Sequence, residues 1–191
     1  MIIKMDVLNH CYACWHGIVL LHKKYIMTGK TDGQHFFEVK LNWLADTRGV
    51  LTAKDAEGSV HVATPPEFGG EGKPWTPEHL FLSSISSCFM TTYLAFSKKI
   101  HFDITNLECN AIGQIEIIEG KYKFTNINLY PKVYIANESL SQKAHLALEK
   151  THKYCLISNS VNATILYHSE ILIDQNSKDI KAEFKSTIAG S

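Results

Sequence analysis

The chain has no surplus of charge of either sign: among its 191 residues, 19 Lys and Arg face 19 Asp and Glu, and the isoelectric point is near 7.1. That balance leaves no electrostatic footprint for nucleic acid or an anionic membrane, so neither is an expected partner. A long hydrophobic run is also missing near the start. The longest uncharged apolar stretch there, residues 17–21, falls far short of the roughly 7–15 residues of a signal-peptide core or the ~20 of a membrane span. A cytoplasmic location is therefore the expectation. No internal repeat and no low-complexity tract occurs. Nor is there an even, regularly spaced cysteine framework: the five thiols, Cys11, Cys14, Cys88, Cys109 and Cys155, are odd in number and irregular in spacing. Reduced cysteines fit that pattern better than a secreted disulfide scaffold, and any disulfide here is expected to be functional.

What remains is ordinary globular material, 45% hydrophobic and 20% charged, enough for one sizeable core. Residues 1–26 have no clean period, and Met27-Thr28-Gly29-Lys30 after them reads as a start in its own right, so residues 1–34 are expected to be a leader. From His35 the pattern changes. Phe37, Val39, Leu41 and Trp43 alternate with polar residues, the period of a half-buried strand over 35–44. Short strands are expected at 50–53 and 59–63, with turns at Asp46-Thr47-Arg48-Gly49 and Glu57-Gly58. Three prolines and three glycines between Thr64 and Trp75 then mark a loop. Thr76 as cap, Pro77 in the first turn and Glu78 on the positive end of the dipole announce a helix over 77–99, apolar nearly all round. A hairpin over 105–118 and 121–136, turning at Glu119-Gly120, follows. Ser139-Leu140-Ser141-Gln142 reads as a capping box opening a second helix that ends near Tyr154, before a last strand over 163–173. The order, with no regular β–α alternation, predicts an α+β fold over residues 35–175, followed by a polar tail over 176–191.

The chemistry, if there is any, lies with the thiols. A lone cysteine in an apolar helix is most often a small core residue, and Cys109, in the strand segment LECNA, is read that way. Cys88 is different, because Ser83, Ser84, Ser86, Ser87, Thr91 and Thr92 surround it with small residues that leave room for the sulfur and carry donors for a thiolate. Cys155 sits at a helix end, where the dipole disfavours a thiolate, which suits a resolving role. The pair Cys11 and Cys14, flanked by His10 and His16, is a single Cys-x-x-Cys outside any strand-to-helix context and is weak evidence for metal or redox work. His145, His152 and Cys155 match no common zinc spacing, and no metal or cofactor is expected.

Five segments in order resemble the OsmC/Ohr family of osmotically inducible and organic-hydroperoxide-resistance proteins: TRG at 47–49, TPPEFGG at 64–70, TPEHLF at 76–81, SSCFMTT at 86–92 and YCLISNSV at 154–161. The resemblance spans about residues 35–173. It implies antiparallel sheets around two long helices in an intertwined homodimer, with thiol-peroxidase activity toward organic hydroperoxides. It also implies that Cys88 is peroxidatic and Cys155 resolving, that Arg48 and Glu78 assist, and that an external dithiol of the lipoyl type is the reductant.

The residue chemistry is compatible with those implications. A thiol with an unperturbed pKa near ~8.5 is mostly protonated at neutral pH, and burial in an apolar helix raises it further, so a cation is expected beside it. Arg48 is the candidate, with Glu78 orienting its guanidinium. Glu78 and Cys88 are ten residues apart, ~15 Å along a helix axis, so they do not meet directly within one straight helix. Phe68, Trp75, Phe81, Phe89 and Tyr93 are candidate lining for an apolar substrate pocket. Two other classes stay open: an apolar-ligand binder with redox-sensing thiols on the same fold, and a cysteine hydrolase using a nearby histidine.

Overall fold

A computed structural model describes residues 34–174. The leader with Cys11 and Cys14 and the polar tail lie outside the described residues. By their contacts the described residues fall into two units, one containing 34–41 with 52–59, the other containing 42–51 with 60–174. The first is an extended approach to β1 (Lys40–Ala45) and the turn region after β2 (Arg48–Thr52). The second contains Cys88, Cys109 and Cys155.

In the second unit, β2 pairs antiparallel with β3 (Val60–Ala63), Arg48 opposite Ala63 and Leu51 opposite Val60, in a sheet of order β1-β2-β3. The strand expected at 35–44 starts only at Lys40, and its apolar residues are not half-buried: Trp43 is 74% exposed. Alternation identifies an apolar face but not what covers it.

The Pro- and Gly-rich loop holds a short 3₁₀ turn at Pro66–Phe68, ended by left-handed Gly69. Gly70 follows close against the chain: a Cβ there would lie 1.7 Å from the Thr64 carbonyl oxygen. The loop delivers the chain to α1 (Pro77–Ile100), which begins as its sequence dictates. Thr76 Oγ1 accepts the His79 N–H at 3.4 Å, Pro77 occupies the first turn, and the His79 ring in return accepts the Thr76 N–H at 3.3 Å. By length and apolarity alone this helix would cross a membrane. Here it is the central helix of the fold: Ile85, Phe89 and Tyr93, four residues apart, are fully buried against the sheet and the second helix.

The long hairpin β4 (Asn106–Ile118) and β5 (Lys121–Ile135) closes through Glu119 and Gly120, both left-handed, the geometry a two-residue hairpin turn requires. A register shift between Gln114 and Ile115 marks a bulge. The capping box expected at Ser139–Gln142 is not formed. Residues Glu138–Leu140 make a 3₁₀ turn, Ser139 bonds Asn137, and α2 (Ser141–Tyr154) starts from Leu140 without a side-chain cap. The single last strand is two, β6 (Thr164–Tyr167) and β7 (Glu170–Ile173), each parallel to β5 and meeting it on either side of Tyr130-Pro131. Pro131 has no N–H to give a neighbour, and the pairing strand breaks opposite it, at His168-Ser169. The α+β class stands, with mixed rather than purely antiparallel strands in the larger sheet.

Candidate active site

Cys88 projects from the middle of α1 toward the turn that follows α2. That turn is tightly made. The Cys155 N–H closes α2 on Thr151 O at 2.9 Å, Asn159 bonds Cys155 O through its N–H at 3.1 Å and its side-chain amide at 2.8 Å, and Ser160 Oγ donates to Leu156 O at 2.9 Å. The result is a stretch closed by its own hydrogen bonds, in which the backbone N–H groups of Leu156, Ile157 and Ser158 serve the two sulfurs.

The Ile157 N–H reaches the Cys88 sulfur at 3.5 Å, and Thr92 Oγ1, one turn along α1, lies 3.9 Å from it. Burial pushes the Cys88 thiol up. The Ile157 N–H, the Cys155 thiol, the Thr92 hydroxyl and the Leu156 N–H together outweigh it and bring Cys88 below the ordinary thiol value. Of the hydroxyls around Cys88, only that of Thr92 serves the sulfur. Those of Ser84, Ser86 and Ser87 donate to carbonyls three residues back, at 2.7–3.2 Å, and Thr91 caps Cys88 O in the same way.

Cys155 is the complement. It is fully buried, and burial and the neighbouring Cys88 push its thiol up, against the pull of the Ser158 N–H and hydroxyl. Ser158 Oγ donates to the Cys155 sulfur at 3.2 Å. Beside it stands Tyr167, whose phenol burial pushes up while the Ser158 hydroxyl pulls it down; its ring stacks on His152, centroids 3.9 Å apart. Cys109 packs against both hydrophobic clusters, and burial lifts its thiol to about 11. It serves as a small apolar residue.

The cation expected beside Cys88 is elsewhere. Arg48 forms an ion pair with Glu71 of the glycine-rich loop, and both side chains are substantially exposed. Glu78 does not orient it: Glu78 Oε2 is buried and has no hydrogen-bond partner. The physical reason is local, since Glu71 lies in the glycine-rich loop within reach of β2, whereas Glu78 is fixed in the first turn of α1. Glu71 was not singled out from sequence, and an acidic residue among glycines carries no signal that would single it out. The five candidate pocket residues also separate. Phe89 and Tyr93 are fully buried in the core, Phe89 close to the His152 and Tyr167 rings and Tyr93 donating to Ala144 O at 3.3 Å, so neither lines a space open to substrate. Phe81 packs on Phe124 with centroids 4.7 Å apart. Phe68 and Trp75 are exposed, the first edge-on to Tyr122 and the second to His79.

The family model described as OsmC-like protein matches residues 70–168, just over half of the chain and including both sulfurs and the turn. The chain belongs to the OsmC-like family. Its OsmC-like domain is similar to the Bacillus subtilis protein described as uncharacterized protein YmaD, with 21% identity over 134 residues that cover 69% of this chain and 89% of the relative. Among solved structures it is similar to an OsmC-like protein of unknown function from Vibrio cholerae, with a TM-score of 0.60 and 20% identity over 73% of this chain and all of the other. It is also similar to an organic hydroperoxide resistance protein from Elizabethkingia anophelis, with a TM-score of 0.59 and 18% identity over 75% of this chain and all of the other. At such identities the structural likeness shows the OsmC-like fold. Arg48 lies outside the segment that the OsmC-like model matches, whereas Glu78, Cys88 and Cys155 lie within it.

Proposed function

We propose that this OsmC-like chain is a thiol peroxidase that reduces organic hydroperoxides, cycling between two thiols and a Cys88–Cys155 disulfide, as a homodimer in a reducing cytoplasm. The observation that carries the reading is one turn serving two thiols, the Ile157 N–H 3.5 Å from the Cys88 sulfur and Ser158 Oγ 3.2 Å from the buried Cys155 sulfur, with Cys88 pulled below and Cys155 pushed above the ordinary thiol value. Such an inequality supports a division of roles. The thiolate is the nucleophile, and the thiol holds a proton until it is needed.

The Cys88 thiolate attacks the distal oxygen of ROOH. The O–O bond breaks, Cys88 becomes a sulfenic acid, and the alkoxide leaves and is protonated to ROH. The Cys155 sulfur then attacks the Cys88 sulfur; the S–OH bond breaks, and the hydroxide leaves as water with the Cys155 proton. Two electrons have passed from the thiols to the peroxide. A dithiol, of the lipoyl type, returns them by exchange through a mixed disulfide. The activating charge on Cys88 comes from the N–H dipoles of the 156–157 turn rather than from a formal cation. The hydrolase reading lacks support at this point: among the described residues no histidine is hydrogen-bonded to either sulfur.

Mass spectrometry of the reduced chain after one equivalent of cumene hydroperoxide tests the proposal. The expected product has lost two hydrogens and carries a Cys88–Cys155 crosslink, absent from Cys88→Ser and Cys155→Ser. A chain that remains fully reduced returns Cys88 to the core and favours a ligand-binding role.

A further inference from the structure

One turn supplies donors to both sulfurs, yet only its contact with Cys88 has a role in peroxide attack. Its contact with Cys155 is the shorter of the two: Ser158 Oγ donates to the Cys155 sulfur at 3.2 Å, against 3.5 Å from the Ile157 N–H to Cys88. Ser158 opens the 3₁₀ turn Ser158–Ser160 and is fixed by the bonds of its neighbours, Asn159 to Cys155 O and Ser160 to Leu156 O. The other donor to the Cys155 sulfur is the Ser158 N–H, and beside it lies Tyr167, whose ring packs on Phe89 and His152. A buried thiol in such a place is a poor nucleophile unless its anion finds donors.

We propose that Ser158 is the positioning residue of the resolving step: its hydroxyl donates to a lone pair of the Cys155 sulfur, directs the S–H toward Cys88, and stabilises the Cys155 anion that forms before it attacks the Cys88 sulfur. This rests on the peroxidase reading above and adds to it the group that enables a sealed thiol to attack. The step is balanced by itself. Cys155-SH and Cys88-SOH become the disulfide and water, and Ser158 neither gains nor loses a proton overall. Two ionisable groups face this sulfur besides Cys88: Tyr167 and Cys109, both held neutral at physiological pH by burial. His152, stacked on Tyr167, is biased to its neutral form by burial against the opposing charge of Glu149. Ser158 is thus the polar side chain that contacts the Cys155 sulfur directly.

Rapid acid quench at successive times after mixing with cumene hydroperoxide, read by intact mass, separates the two steps: uptake of one oxygen, then loss of water to the disulfide. In Ser158→Ala the oxygen uptake is expected at the wild-type rate. Conversion to the disulfide is expected to slow about tenfold or more at neutral pH, with its pH profile moved up by about one unit, so that raising the pH restores it. Ser158→Thr, which keeps the hydroxyl, is expected to recover the wild-type profile. A Ser158→Ala chain that closes its disulfide at the wild-type rate and pH overturns this inference while leaving the peroxidase reading intact, as do alanine and threonine variants that are equally slow. A wild-type chain that takes up no oxygen overturns the peroxidase reading itself.

Discussion

At Cys88 the groups that favour the anion are dipoles. The Ile157 and Leu156 N–H groups cost nothing to reorganise because the turn that carries them is already closed by its own hydrogen bonds. This leads to a contrast between two variants. Thr92→Val removes one donor to the sulfur while keeping its shape, and should raise the pH midpoint of Cys88 alkylation by about half a unit to one unit, since a donor to an anion contributes on that order and this contact is long at 3.9 Å. The sign follows from the stabilised form: a group held below its ordinary value loses part of that depression when a donor to its anion is removed. Arg48→Ala, by contrast, should leave the midpoint unchanged, because Arg48 is engaged with Glu71. Iodoacetamide rates from pH 5 to 10 on the three proteins decide the point, and a midpoint raised by Arg48→Ala would mean that the guanidinium leaves Glu71 for the sulfur. Sequence pointed to Cys88, Cys155 and Thr92 because cysteine and hydroxyl positions are written in it. It was silent on the backbone amides of residues 156 and 157, since every residue but proline has an N–H and only the fold aims it.

At the scale of elements, local signals with one physical meaning read true. Thr76-Pro77-Glu78 begins a helix because cap, first-turn proline and dipole charge agree, and Glu119-Gly120 closes a hairpin because Gly120 adopts the left-handed region freely and the long paired strands hold Glu119 in it. Signals that depend on a partner did not. Ser139–Gln142 has the letters of a capping box, but the chain enters α2 through a 3₁₀ turn that takes Ser139 away. The segment 163–173 is interrupted by His168-Ser169-Glu170, but those letters do not show that the neighbouring strand carries Pro131. A close contact between elements is equally invisible in sequence. Gly113 lies where β4 meets α1, and a Cβ there would stand 2.6 Å from Phe124 Cε1 and 2.9 Å from Leu82 Cδ2. Gly113→Ala therefore overpacks the helix–sheet contact and should cost about 1–3 kcal/mol in urea unfolding. An unchanged midpoint of unfolding would show that the Phe124 ring moves aside at no cost.

For the whole molecule, the unusual feature is apolar surface near the beginning of the described chain. Phe36, Phe37, Val39, Leu41, Trp43 and Leu44 are each more than half exposed, Phe37 by 93%. Single exposed hydrophobic residues are ordinary; six within nine positions are not. Three are aromatic, and aromatics bury about 150–250 Å² each when covered, so with the three aliphatic residues the segment approaches the ~800 Å² per partner of a stable interface. A second copy of the chain is the simplest cover, consistent with the homodimer proposed above. Sedimentation equilibrium at micromolar concentration should return the mass of two chains. Trp43→Glu, which places a charge in the middle of the segment, should shift the equilibrium toward one chain by about two powers of ten in dissociation constant, the cost of desolvating an unpaired carboxylate at an interface. The same variant tests whether the chemistry needs the pair. Both sulfurs and the turn that serves them belong to one chain, so a dissociated Trp43→Glu chain should still form its Cys88–Cys155 disulfide with one equivalent of hydroperoxide. A wild-type chain that sediments alone would require a different cover for this surface, and a dissociated chain that no longer reacts would place part of the site on the partner.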